Sequence, residues 1–355
     1  MANIIAYKCP NCGSDIPYNP SGENLKCAYC DTEYPIATLQ EYNEETIKKD
    51  NECNWSTYNS EEMMVNKYEY HCPSCGGSVI FDETGASDIC PYCGSAIILG
   101  DKVDKELKPD LILPFEIDKE TALKSLKTML KTKFMVPKAF KENRFLDKVQ
   151  ALYVPYWLFD CESDCSANFR CVRSRTWVEG DYRYTKTSHY LAIRKGKMAF
   201  EKVPVDASLK LDAKLLQSLE PFDYSKIKTF DTAYLAQIRA DVRQEEAKNC
   251  QNEANERIYQ SMIATLESTV IDLGVPRLDN ANITYDHGTS SYTFMPVYLL
   301  SRQFKDKTYT FAINGQNGKV AGDLPFDYFK LITLSFIIFL FAFIISSLLI
   351  YYALM

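Results

Sequence analysis

Eight of the thirteen cysteines in this 355-residue chain fall into four CxxC pairs. The pairs combine into two sets, Cys9, Cys12, Cys27 and Cys30, then Cys72, Cys75, Cys90 and Cys93, each reading C-x2-C-x14-C-x2-C. Two CxxC turns on neighbouring hairpins supply four thiolates at the corners of a tetrahedron, the arrangement zinc takes in structural sites. Eight unrelated free thiols would not repeat that spacing. The odd total, with no secretory signal evident at the N-terminus, points to a reducing compartment and metal binding rather than a disulfide framework. CPNCG, CPSCG and CPYCG each place glycine after the second cysteine, where the backbone folds back to aim amides at sulfur at little cost. In CAYCD, Asp31 holds that place, and a slightly different turn is expected there. Two structural Zn2+ ions are therefore expected. Iron in a rubredoxin-like cage is the chemical rival, and zinc is preferred because the sequence offers no redox partner site. Four thiolates leave no open coordination position, so such a centre contributes folding energy, not catalysis.

The elements that must position these cysteines are small. Residues 1–37 read as a first zinc ribbon and 68–100 as a second, joined by an acidic linker over 38–67. Units of about 30 residues cannot bury enough apolar surface alone and need the metal. An α+β body follows over 101–325. The LILPFEI run predicts a short strand, and Asp118 caps a helix reaching about Lys133, with Leu123, Leu126 and Leu130 toward a core and Lys124, Lys127 and Lys131 on an adjacent stripe. Residues 150–205 alternate and are rich in aromatics, which marks antiparallel strands. A long helical pattern covers about 231–271, and strands resume up to the Asn314-Gly315 and Asn317-Gly318 turns. YVPYWLF at 153–159 and FMPVYLL at 294–300 carry proline at the same offset, as two sheet-edge strands or a weak duplication would.

Residues 331–355 contain no charge and are rich in Ile, Leu and Phe. Twenty-five helical residues extend about 37 Å, enough to cross a hydrocarbon core of about 30 Å once. A helix apolar on every face is rarely a soluble core element. This segment is expected to be a single-pass tail anchor, and Lys330 at its entry favours a cytoplasmic location for the N-terminal bulk.

Charge bears on function. The net charge is −7, but residues 1–100 balance at −10 with no arginine, and residues 101–200 at +6. An acidic head does not grip phosphates, so nucleic-acid binding is disfavoured. Three histidines, with no HExxH, GxGxxG or Ser–His–Asp order, leave little for imidazole catalysis, and no small-molecule substrate or enzymatic activity is expected. Cys161, Cys165 and Cys171 are read as buried thiols rather than a third metal site, His71 as a surface residue or one supporting the ligands, and His287 as a loop residue. The lysine stripe is read as a solvated face, with contact to anionic lipid or the acidic head as the sharper alternative.

The ribbon turns, together with ILPF at 112–115, YVPYWLFD at 153–160, VPVDAS at 203–208, EPFDY at 220–224 and FAINGQNGKVAGDLP at 311–325, resemble the bacterial membrane-anchored double-zinc-ribbon proteins of the YdjG type. Such proteins are often labelled transcription-factor-IIB-like or helicase-like from the cysteine turns. The resemblance implies a non-enzymatic scaffold or adaptor, a subunit of a membrane assembly linked to envelope stress of the phage-shock-protein-A type and to flotillin-like partners. A membrane-tethered nucleic-acid-binding ribbon is the alternative.

Overall fold

The computed structural model describes residues 6–11, 14–17, 24–35, 38–39, 55–57, 68–81, 89–95, 107–142, 146, 148–235, 238–304, 307–325 and 327–354. In chain order the strands and helices are β1 (Ala6–Lys8), β2 (Asp15–Pro17), β3 (Asn24–Lys26), β4 (Glu33–Pro35), β5 (Ser56–Thr57), β6 (Tyr68–His71), β7 (Ser78–Phe81), β8 (Leu111–Ile112), α1 (Lys119–Thr132), β9 (Gln150–Glu179) and β10 (Tyr182–Asp206). Then come α2 (Ala213–Gln217), β11 (Lys228–Thr229), β12 (Arg239–Asp241), α3 (Ala247–Ser268), β13 (Val275–Phe304), β14 (Lys307–Asn314), β15 (Val320–Gly322) and α4 (Tyr328–Leu354). The chain is thus mixed α and β, with a large sheet and few helices. Most of the predicted acidic linker, including Met63, Met64 and Val65, lies outside the described residues.

Two compact units each draw on three stretches of chain: Met1–Tyr58, Trp157–Val205 and Ala247–Ser291 in the first; Asn59–Tyr156, Asp206–Glu246 and Tyr292–Met355 in the second.

In the first unit, alternation along β9 turns Cys165, Ala167, Phe169 and Cys171 toward one face. There they pack against Met262, Ile263 and Leu266 of α3, whose buried residues recur at helical spacing from Ala247 to Leu266. The first cysteine set has its own small core of Ile16, Leu25, Tyr34 and Leu39, framed by the hairpins β1–β2 and β3–β4. Beyond Cys171, β9 becomes exposed and turns into β10 at Gly180, whose φ of +60° suits glycine at the first position of a two-residue turn. The hairpin is laced by Ser174–Thr187 and Thr176–Thr185 hydroxyl pairs at 3.2 and 3.0 Å and by stacked Trp177 and Tyr184.

In the second unit, β12 lies parallel to β9 and antiparallel to β7, so the hairpin β6–β7 of the second cysteine set extends the sheet. β13 pairs antiparallel with β14 and parallel with β8. Against these strands Ala122, Leu126 and Leu130 of α1 join Val136, Phe140, Tyr298, Phe311 and Ile313 in one cluster. Asp118 caps α1 as expected, its Oδ1 accepting from the Thr121 amide at 2.9 Å.

Three expectations need correction. The long helix begins at Ala247, not near 231, because Arg239, Ala240 and Asp241 are all buried as a strand inside the sheet. Pro155 and Pro296 lie on β9 and β13, which are inner, neighbouring strands rather than edges. Their carbonyls accept from the Ala207 and Gly315 amides at 2.9 Å, which keeps those groups paired where proline lacks an N–H. His287 sits on β13 at a left-handed kink (φ 53°), not in a loop.

The C-terminal helix α4 is 27 residues long. Its stretch Phe329–Tyr351 is long and apolar enough to cross a membrane, and its side chains, such as Phe336, Phe339 and Ile344, are exposed.

Candidate metal centres

Each described CxxC turn begins with the same backbone closure. The amides of Cys9, Cys27, Cys72 and Cys90 donate to the carbonyls of Ser14, Thr32, Gly77 and Ser95 at 2.8–2.9 Å. Asp31, Gly76 and Gly94 close the turns with amides donating to Cys27, Cys72 and Cys90 carbonyls, and all three are left-handed, with φ of 60°, 67° and 75°. The CAYCD turn therefore does not differ from the described glycine turns: Asp31 adopts the glycine conformation, which aspartate tolerates better than most side chains.

These turns bring the second set together completely. All four sulfurs of Cys72, Cys75, Cys90 and Cys93 lie within 4.8 Å of one another, with Cys72–Cys93 and Cys75–Cys90 both at 3.8 Å. A tetrahedron with metal–sulfur bonds of about 2.3 Å has corners about 3.8 Å apart, whereas a disulfide needs about 2.05 Å. The donor set and its spacing thus fit a metal ion such as zinc. In the first set Cys9, Cys27 and Cys30 cluster in the same way, with Cys9 and Cys30 sulfurs 3.6 Å apart. Cys12 lies outside the described residues.

The surroundings favour thiolate at one sulfur of each set. At Cys93, burial opposes ionisation, but hydrogen bonds from the Ser95 hydroxyl and amide bring the thiol down to about 7. Burial likewise opposes ionisation at Cys30, and the Thr32 hydroxyl and amide outweigh it. Burial pushes Cys75 and Cys90 up, so binding a cation there must displace protons.

The second set is held by residues that its own spacing does not reveal. Tyr92, between Cys90 and Cys93, is buried and donates its hydroxyl to Asp241 Oδ1. Asp241 Oδ2 accepts from the Ser208 hydroxyl at 2.5 Å. Lys210 Nζ donates to the Cys75 carbonyl at 2.6 Å, and Arg239 and Gln150 both donate to the Ile89 carbonyl, at 2.8 and 3.2 Å. Turn carbonyls and one turn side chain are thus bound to the unit's own strands and loops. The only sequence signal was a pair of charged residues, Arg239 and Asp241, set between Ile238 and Val242. Burial, opposed by the Ser208 and Tyr92 hydroxyls, pushes the Asp241 carboxyl up to about 6.

Beside the first set, a cavity of about 680 Å³ is lined by residues including Thr32, Tyr34, Arg170, His189 and Arg277. Arg170 donates to the Asn11 carbonyl at 3.0 Å and pairs with Asp279. Among the described residues, the remaining candidates belong to neither cysteine cluster. Cys161, Cys165 and Cys171 are buried and form no disulfide, and among the described residues they join no metal-ligating cluster. His71 is exposed and bonded to the Ser78 hydroxyl at 3.0 Å. The Asn314 side chain shapes the 314–319 turn, accepting from the Gln316 and Asn317 amides at 2.8 and 3.2 Å.

No protein-family model matches the chain, and no solved structure does. The chain is 31% identical over 322 residues to a Bacillus subtilis protein described as uncharacterized protein YdjG, covering 91% of this chain and 90% of that protein. A likeness at that level, over 91% of the chain, places it in the YdjG family.

Proposed function

We propose that this chain is a non-enzymatic membrane scaffold. Each cysteine set holds one structural Zn2+ in a zinc ribbon, α4 crosses the membrane, and the N-terminal bulk is cytoplasmic. The observation that carries the reading is the complete Cys72, Cys75, Cys90, Cys93 tetrahedron, whose four sulfurs leave no position for a substrate. Its turns are bonded into the sheet of their unit, so the metal stabilises a surface rather than a reaction. The partner-binding surface is assigned to the β9–β10 hairpin, where Trp177, Val178, Tyr182 and Tyr184 are exposed together. Rigid exposed aromatics are the residues that anchor protein interfaces. The assembly implied by the resemblance, with phage-shock-protein-A-like and flotillin-like subunits, supplies the candidate partners. Purification of the full chain from membranes in mild detergent tests this. Stoichiometric membrane partners should co-purify and be lost with the W177A/Y184A variant, and a lone monomer from both would overturn the scaffold reading.

A second reading has its own support. The same hairpin carries Arg173, Arg175, Arg183 and Lys186, all exposed, and cations beside stacking rings can hold single-stranded nucleic acid. The −10 balance of residues 1–100 opposes it. Binding of a labelled oligonucleotide that weakens steeply with salt would favour this reading over the first.

A further inference from the structure

The foot of α4 is tied to one loop of the second unit. Lys330 Nζ donates to the carbonyls of Phe134 and Val136 at 3.3 and 2.8 Å and lies 3.6 Å from the Asp327 carboxylate. The Asp327 amide donates to the Met135 carbonyl at 2.8 Å, and the Lys330 ammonium stands 5.7 Å over the Phe134 ring. The loop after α1 is thereby fixed beside the first turn of α4, where the uncharged run starts at Leu331. Phe134 itself is 64% exposed, an unusual state for a phenylalanine outside the helix. Along its own stretch of chain the charge has one sign. From Thr121 to Lys141 the chain carries six lysines and no acid. Lys131, Lys133 and Lys138 are exposed, while Lys141 Nζ is occupied by the Lys133 carbonyl at 3.0 Å. Asp327 is engaged by Lys330, and the next acid after this stretch is Glu142.

An aromatic ring flanked in sequence by exposed lysines, held within a turn of a membrane-entry point, matches what the interface of an anionic leaflet binds. Protein docking would not require the patch to sit at that height. We propose that Phe134, Lys131, Lys133 and Lys138 form a second, peripheral membrane contact selective for anionic phospholipid headgroups, an inference that rests on α4 being a membrane span. The ring lodges among headgroups and upper acyl carbons, and the three lysines meet phosphates around it. Because the loop is bonded to the foot of α4, this contact also sets how the second unit meets the leaflet.

Full-length protein carrying F134W, reconstituted into vesicles, tests the idea against the wild-type background of Trp55, Trp157 and Trp177. With lipids brominated near the headgroup, the added fluorescence is expected to be strongly quenched in vesicles containing phosphatidylglycerol. Quenching should fall about threefold or more in pure phosphatidylcholine or with K131Q/K133Q/K138Q, since each lysine near an anionic surface adds about fivefold to partitioning. Carbonate extraction of the same vesicles separates the failures. Protein that resists extraction but shows no quenching, or quenching indifferent to charge, overturns the lipid contact alone. Protein that is extracted overturns the membrane span and the contact with it.

Discussion

At Cys90 the case for a metal centre is most exposed to test, because burial holds this thiol protonated unless a cation replaces the proton. Cys90→Ser should therefore lose the metal of the second set while leaving that of the first, dropping the bound metal by one equivalent, which elemental analysis of purified protein reads directly. Asp241 offers a pH signature. Its carboxyl is raised to about 6 by burial, so the folded chain holds that proton more tightly than the unfolded chain, where aspartate titrates near 3.9. The folded state is thus favoured below about pH 4, and this contribution, up to about 3 kcal/mol, is lost as pH rises toward 6. Asp241→Asn removes the titration. Relative to wild type, the variant should gain stability between pH 4.5 and 7, measured by thermal unfolding in detergent at each pH, and a constant difference would contradict the assignment. The cysteines were legible because their spacing is local and repeated. Asp241 was not: its partners Tyr92 and Ser208 are far off in sequence, so no spacing pattern announces them.

Among the elements, α1 was the most legible. A capping aspartate followed by leucines at helical spacing dictates both its start and its buried face, and Leu126 and Leu130 are both buried in the cluster. Leu126→Ala should cost about 2–5 kcal/mol through the cavity it leaves, whereas Lys127→Ala on the flank should change stability by less than about 0.5 kcal/mol. Comparing the two melting temperatures checks this. The α3 boundary was misread because polar residues from 231 to 246 fit a helix pattern as well as the turns and buried strand found there; pairing of β12 between β7 and β9 decides the matter, and pairing is non-local. The inner-strand prolines were misplaced for the same reason, since the carbonyl partners that accommodate them lie on other elements. For α4, length and composition were sufficient. Leu340→Lys, in the middle of the apolar run, should sharply reduce membrane retention at a cost of about 3 kcal/mol for a mid-bilayer charge, read as the share resisting carbonate extraction.

At the scale of the whole molecule, the cysteine sets fall in different units, the first framed by its own hairpins and the second continued into a sheet. Each unit is stitched from distant stretches of chain, so linear composition could list the parts but not group them. The grouping has a consequence for stability. Stripping metal from the second set should unfold more than about 30 residues around it, because its strand β7 is a sheet strand bonded to β12. The proposed function rests on two four-thiolate sets that each hold a metal ion. Inductively coupled plasma mass spectrometry of the full-length protein, purified under reducing conditions without added metal, measures this most directly. The account predicts two zinc atoms per chain; a chain that is folded yet carries no stoichiometric metal, or one whose metal is iron with the visible absorption of an iron–thiolate centre, would contradict it.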